Sequence, residues 1–421
     1  MNIRSFLKAG HAPSLFCAFL YFDISFMVWV LLGALANSIV PYFTLSESQR
    51  GMMLAVPLLG GAVLRLLLGW MTDRIGARNS AIIGLAFTVV PLLLGWLWAD
   101  SYEEILVVGA LLGVAGASFA AALPLASRWY PPQYQGLAMG IAGAGNSGTA
   151  LATFFGPILA AAIGWQNVFG VAIIPIVATL MLFVVLARES PNRPPAKSLK
   201  EYGAVMGQAD TWWFCVFYSV TFGGFVGLAV FLNSFFRVQY DLTPIQAGYF
   251  ATACVISGSL LRPVGGYLAD RIGGIRMLTG LYLGVCGLLA CQAMLPPLAV
   301  AAGVLFLCMG LLGMGNGAVF QLVPLRFPKE IGVITGIVGA AGGVGGFFLP
   351  NLLGSLRDWT GTVAGGFALF AAAAFLCAAL LQFVARSWEG VFVTRGGKAS
   401  LVPEPAPAML VNDLAPVPVE T

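Results

Sequence analysis

Along this chain, apolar runs of about 20 residues alternate with short polar breaks, the length a helix needs to cross a hydrocarbon core about 30 Å thick. Twelve runs can be marked, at roughly 14–40, 51–72, 80–99, 104–127, 137–160, 166–187, 211–236, 246–269, 277–295, 299–323, 333–356 and 362–385. Few segments alternate with period 2, which argues against a membrane barrel. The break at 188–210 holds Pro191, Pro194 and Pro195 and divides the runs into two sets of six. Beyond residue 390 the helical period fades and Pro, Ala and Val dominate, the composition of a disordered tail. The expected fold is an all-α membrane protein with twelve transmembrane helices. Its expected parts are an N-terminal six-helix bundle at 1–187, a cytoplasmic linker at 188–210, a second bundle at 211–389 and a disordered cytoplasmic tail at 390–421.

The two sets repeat. Residues 60–78 read GGAVLRLLLGWMTDRIGAR and residues 259–276 read SLLRPVGGYLADRIGGIR. Both fit R-x-x-x-G-x-x-x-D-R-x-G, with Arg65 eight residues before Asp73 and Arg262 eight before Asp270. Gly140-Ile141-Ala142-Gly143-Ala144 returns as Gly336-Ile337-Val338-Gly339-Ala340, 196 residues on, and Pro124-Leu125 returns as Pro324-Leu325, 200 residues on. Nearly constant offsets predict two pseudo-symmetric bundles in parallel repeat, the major facilitator architecture.

Composition agrees with the pattern. The chain is 59% hydrophobic and 9% charged, against about a quarter charged in soluble domains, and its mean hydropathy is +0.91. With both termini cytoplasmic, inner segments hold 16 Lys and Arg, and outer loops only Arg50, Arg237 and Arg357. That asymmetry fixes the expected orientation in a cell inner membrane. Arg4 and Lys8 precede an apolar run, but the run is too long for a cleaved leader and reads as a first span. The seven cysteines lie scattered in apolar runs and read as small core residues; the one histidine, His11, precedes the first span. No metal set, cofactor motif or catalytic triad is recognisable, so an enzyme is not expected, and neither is a cofactor or a nucleic-acid partner.

The remaining two arginines of the 21 Lys and Arg are Arg65 and Arg262, each inside a span. Eight helical residues place each about 12 Å from the inner end, near the midplane. A lone arginine there costs roughly 2.5–3.5 kcal/mol. Asp23 is the one acid well inside a span, so the interior carries excess positive charge. A small oxyanion would suit it: guanidinium is planar, stays charged and offers paired donors. Asn146 stands as a polar amide within the glycine run at 136–157 and can donate to such an anion. The glycines of that run and of 332–350 predict a smooth stripe along the fifth and eleventh spans. Asp73, Arg74, Asp270 and Arg271, in the charged turns, are expected to form a cytoplasmic gate.

The paired arginines, the run Ala142-Gly143-Ala144-Gly145-Asn146-Ser147-Gly148 and the second glycine run resemble the nitrate/nitrite porter family of the major facilitator superfamily. Phe22-Asp23-x-x-Phe26-x-x-Trp29, Gly113-Val114-Ala115-Gly116-Ala117-Ser118-Phe119 and Gly315-Asn316-Gly317-x-x-Phe320-Gln321 agree with it, so the resemblance covers about residues 14–385. It implies a secondary transporter for nitrate and nitrite, a proton–nitrate symporter or a nitrate/nitrite exchanger, with protons as a further partner and a monomer in the bilayer. It implies Arg65 and Arg262 as substrate clamps, Phe119, Tyr218 and Phe222 as rings around the flat anion, and Asn146, Gly143 and Gly339 as further contacts. Asp23 is the proton-coupling candidate. One departure from symmetry is Gly342, where the repeat offset would place a partner for Asn146. An organic-anion antiporter of the same fold and a non-transporting membrane sensor are the rival readings.

Overall fold

The computed structural model describes residues 3–191, 199–327 and 330–398. Among them, twelve helical spans are long and apolar enough to cross a membrane: Ala12–Phe43, Glu47–Ile75, Ala77–Leu97, Tyr102–Ser127, Ala138–Ile163, Trp165–Leu186, Ala209–Tyr240, Pro244–Ile272, Gly274–Ala293, Leu298–Arg326, Val333–Thr360 and Ala364–Trp388. Each contains one of the twelve predicted runs or overlaps most of it. Large apolar side chains such as Leu97, Ile174, Val185 and Phe383 are exposed on the periphery, as a chain solvated by lipid requires.

Local signals set where the helices begin. Ser46 with Gln49, Ser101 with Glu104 and Thr243 with Gln246 form capping boxes at the starts of the second, fourth and eighth spans, satisfying backbone N–H groups that have no partner in the first turn. At the opposite end, Gly76 and Gly273 close the second and eighth spans with φ of 94° and 99°. This conformation disfavours any residue with a Cβ, so the repeated D-R-x-G turn ends in glycine in both halves.

The halves differ where it matters for function. The first span breaks at Val30, between helices Ala12–Trp29 and Leu31–Phe43. The fourth breaks at Ala117 and Ser118, between Tyr102–Gly116 and Phe119–Ser127. The fifth passes through a short 3-10 turn, Ala144–Ser147. The corresponding seventh, tenth and eleventh spans run unbroken, as Ala209–Tyr240, Leu298–Arg326 and Ile331–Thr360. Broken helices free backbone carbonyls and amides in the interior, so one bundle presents polar backbone at mid-depth and the other presents mainly side chains.

The bundles meet through three span pairs, the second with the eleventh, the fifth with the eighth and the first with the seventh. Cross-bundle hydrogen bonds among the described residues cluster at mid-depth and toward the arginine-poor end, where the loops at 44–46, 241–243 and 361–363 lie. There the backbone N–H groups of Glu47 and Ser48 donate to the Asp358 carboxylate at 3.2 and 2.7 Å. Deeper, Thr153 and Thr252 share a 2.8 Å hydrogen bond. Asn37 Nδ2 donates to the Asn233 carbonyl at 3.1 Å, and Asn233 Nδ2 donates back to the Ala34 carbonyl at 3.3 Å. Toward the arginine-rich end, a Cβ added at Gly140, Gly143 or Gly336 would meet nothing within 4 Å. The bundles are therefore held together on the arginine-poor side and less closely packed beside both glycine runs on the other.

The reciprocal asparagine pair predicts a measurable shift. Two neutral hydrogen bonds at about 0.5–1.5 kcal/mol each bias the closed state about fivefold or more. Spin labels at Thr44 and Thr362 in the double variant Asn37→Ala, Asn233→Ala should therefore show a growing long-distance population. An unchanged distance distribution would mean the pair does not hold this end shut.

Residues 390–398, expected within the disordered tail, are ordered. Glu389 bridges to Val393, and the Gly274 and Arg276 N–H groups donate to the Gly397 and Gly396 carbonyls. The tail expectation at 399–421 and the linker expectation at 192–198 fall outside the described residues. A short helix, Ile3–Lys8, also precedes the first span, and Phe6 stacks on Tyr130 with centroids 4.7 Å apart.

Candidate functional site

The two interior arginines face each other across the bundle interface. Arg65 is 1% exposed and Arg262 is 8% exposed, so neither reaches a membrane surface. The Arg65 guanidinium lies 5.4 Å from the Phe119 ring centroid and that of Arg262 lies 5.7 Å from the same ring. The two cations thus share one phenyl group and cannot be farther apart than the sum of those distances. Among the described residues, neither arginine pairs with a carboxylate.

Their anchoring is unequal. Arg65 Nη2 donates to the Gly116 carbonyl at 2.7 Å, and Nη1 donates to the Gly339 carbonyl of the other bundle. Gly116 is the last residue of its helix, where carbonyls lack intrahelical partners and the helix dipole favours a cation. The break in the fourth span is therefore what holds Arg65. Arg262 makes one long bond, 3.4 Å to the Tyr218 hydroxyl. Arg65 Nε and Arg262 Nη1 have no hydrogen-bond partner among the described residues. Both donors remain for an acceptor placed between the bundles.

Aromatic rings enclose these donors. Tyr218 and Phe222 stack with centroids 5.1 Å apart and planes 4° apart. Gly342 makes that stack possible, because a Cβ there would lie 2.7 Å from Tyr218 and 2.8 Å from Phe222. The departure from symmetry seen at Gly342 thus has a steric cause. Trp29 stacks on Phe222 at 6.4 Å, with its indole N–H held by the Pro57 carbonyl at 2.7 Å. Phe320 closes another side, 6.0 Å from Phe119 and 5.0 Å from Tyr218. Arg65 lies over the rings of Trp29, Phe119 and Phe222 at 5.9, 5.4 and 5.6 Å, contacts that offset part of the cost of burying a cation.

The other expected residues divide. Gly339 lies against Arg65 and Phe119 and supplies the cross-bundle carbonyl. Gly143, the residue that directly precedes the 3-10 segment, faces open space. Asn146 is buried in that segment with Oδ1 unpaired. Next to it, the Asp23 carboxylate accepts from the Ser147 hydroxyl at 2.6 Å. The four gate residues do not behave alike. Asp73 pairs with Arg128 at 3.3 Å within its own bundle, whereas Asp270 is exposed. Arg326, which the repeat would offer to Asp270, instead binds Asp210 at 2.5 Å. Arg74 and Arg271 lie over Trp70 and Tyr267 of their own helices, at 4.6 and 4.5 Å.

Sequence reasoning did not assign Trp29, Phe320 or the Gly116 carbonyl to the site. The two aromatics lay within quoted motifs. A backbone acceptor exposed by a helix break leaves no mark on residue type.

Among family models, that of the Major Facilitator Superfamily matches residues 15–350. The "Nitrite extrusion protein" of Bacillus subtilis is 33% identical, over 81% of this chain and 86% of its own. The "Probable nitrate/nitrite antiporter NarK1" of Thermus thermophilus is 31% identical, over 81% and 84%. The "Probable nitrate transporter NarT" of Staphylococcus carnosus is 33% identical, over 80% and 87%. Among solved structures, a D-xylose–proton symporter superposes with a TM-score of 0.72 at 18% identity, over 88% of this chain and 96% of that one. A bacterial homologue of the human lysosomal transporter Spinster, in an inward-facing conformation, superposes at 0.65 and 17%, over 89% and 96%. These two share the fold.

Proposed function

The chain belongs to the Major Facilitator Superfamily and, within it, to the nitrate/nitrite porter family, and from that premise we propose that it carries nitrate and nitrite across the cytoplasmic membrane by alternating access. The observation that carries this reading is the pair of buried guanidiniums, one from each bundle, beside one shared phenyl ring. A trigonal anion between them would meet guanidinium N–H groups at its edges and aromatic rings at its faces. Without an anion the two cations repel; with one they are drawn together. Binding would thereby favour the closed state through which the carrier passes. The arginine-rich end is assigned to the cytoplasm, so a molecule held together at the arginine-poor end opens inward. Phe119, Tyr218, Phe222, Asn146 and Gly339 complete the binding surface, and Asp73 with Arg128 belongs to the cytoplasmic gate.

Energy coupling centres on Asp23. Its carboxylate meets Ser147, the neighbour of Asn146 in the broken fifth span. Protonation there would change how that break is held, which favours proton symport over exchange, since exchange needs no such group. Proteoliposomes decide it. Nitrate uptake should follow an imposed pH gradient without internal nitrite, and Asp23→Asn should lose that uptake while retaining counterflow. Uptake that requires internal nitrite and ignores the pH gradient would overturn symport. Oxalate or formate displacing labelled nitrate at equal concentration would overturn the substrate.

A further inference from the structure

We infer that Asn316 binds the transported anion, as the amide that the C-terminal bundle contributes where its eleventh span has Gly342. The inference rests on the nitrate-carrier reading and adds a residue to its site.

Asn316 is fully buried in the tenth span, and neither its Oδ1 nor its Nδ2 has a hydrogen-bond partner among the described residues. Leaving such groups unpaired costs about 1–3 kcal/mol each, so the position calls for a polar occupant. Its neighbours fix where it points. Gly315 abuts Thr221 of the seventh span, and Gly317 abuts the Arg262 carbonyl of the eighth. At 100° per residue, the side chain between them lies about 100° around the helix from each of those two contacts. Phe320, four residues on and on the same helix face, touches both Phe119 and Tyr218. Asn316 therefore lies one turn along the wall that Phe320 forms, on the helix that packs against the backbone of Arg262, whose Nη1 is also unpaired.

The repeat gives the same placement independently. The offset of 200 residues that relates Pro124 to Pro324 maps Asn316 onto Gly116, whose carbonyl holds Arg65. The N-terminal half satisfies its arginine with a free backbone acceptor at a helix break. The tenth span is unbroken there, so it has no such carbonyl to spare and presents an amide instead. An amide has both polarities: with the anion bound, Oδ1 would accept from Arg262 while Nδ2 would donate to an anion oxygen. Arg262 and Asn316 together would offer two convergent donors from one bundle, and Arg65 Nε would meet the anion from the other.

The test compares wild type with Asn316→Leu, Asn316→Ala and Asn316→Asp. It reads nitrate counterflow in proteoliposomes and the nitrate-induced rise in Tm of the purified protein. Leucine is close in shape and removes both unpaired groups, so the anion-free Tm should hold or rise. The KM for nitrate should increase about tenfold or more, and the nitrate-induced Tm shift should vanish. Asn316→Asp, which sets a carboxylate against the anion, should lose more than the leucine variant. A responsive wild type beside leucine and alanine variants with unchanged KM and unchanged Tm shift would make Asn316 a structural amide satisfied by water, and would overturn the assignment alone. A wild type showing neither transport of nitrate nor a Tm shift would overturn the nitrate reading, and the assignment with it.

Discussion

Arg65→Lys should abolish nitrate counterflow, with a loss of about 100-fold or more, in protein that still inserts and purifies normally. Arg65 reaches two backbone carbonyls at once, Gly116 in its own bundle and Gly339 in the other. A lysine ammonium keeps the charge but is a single point on a flexible stem. It cannot bond both carbonyls and also leave a donor directed at an anion. Hydrogen bonds to charged groups contribute roughly 1.5–3 kcal/mol each. Losing one bond and the anion donor removes about 3 kcal/mol or more, which gives the 100-fold figure. Counterflow normalised to inserted protein checks it, and a lysine variant with more than about a tenth of wild-type activity would mean the fork is dispensable.

The second large effect is expected at a glycine. Gly342→Ala should raise the KM for nitrate or lower the rate by about fivefold or more, from an overpacking cost of about 1–3 kcal/mol. The added methyl would lie 2.7 Å from Tyr218 and 2.8 Å from Phe222, closer than packed carbons approach. One ring must turn, and the parallel stack that walls the site would be lost. Gly287→Ala, on the exposed face of the ninth span and with nothing within 4 Å, is the control and should behave as wild type. Equal activity in both variants would show that the stack does not shape the substrate site.

Much of this was legible because charge stands out against an apolar background. Arg65 and Arg262 were identifiable as isolated charges in runs long enough to span, and the repeat placed them at equal depth. The apolar runs alone put the helix starts at 51, 104 and 246, inside the true starts at Glu47, Tyr102 and Pro244, where Ser46, Ser101 and Thr243 are the capping residues. What the residues did not reveal was unequal anchoring. Val30, Ala117 and Ser118 stand at helix breaks without a proline, and all three are buried among neighbouring spans. The carbonyls of Gly116 and Gly339 act through the backbone, which no residue type encodes. The order in 390–398 was hidden by the proline-rich composition of the adjoining stretch, 399–421. It depends on Gly396 and Gly397 turning at positive φ against the eighth-to-ninth connection.

Asn37 and Asn233 stand 196 residues apart, at equivalent places in the two halves, and each donates to the backbone opposite. Such a contact is a surface meeting its own copy about a two-fold axis, the geometry of a homodimer. The symmetry is approximate, because Asn37 meets the Asn233 carbonyl while Asn233 meets that of Ala34, three residues back, so the two bonds are related by the repeat without being copies of each other.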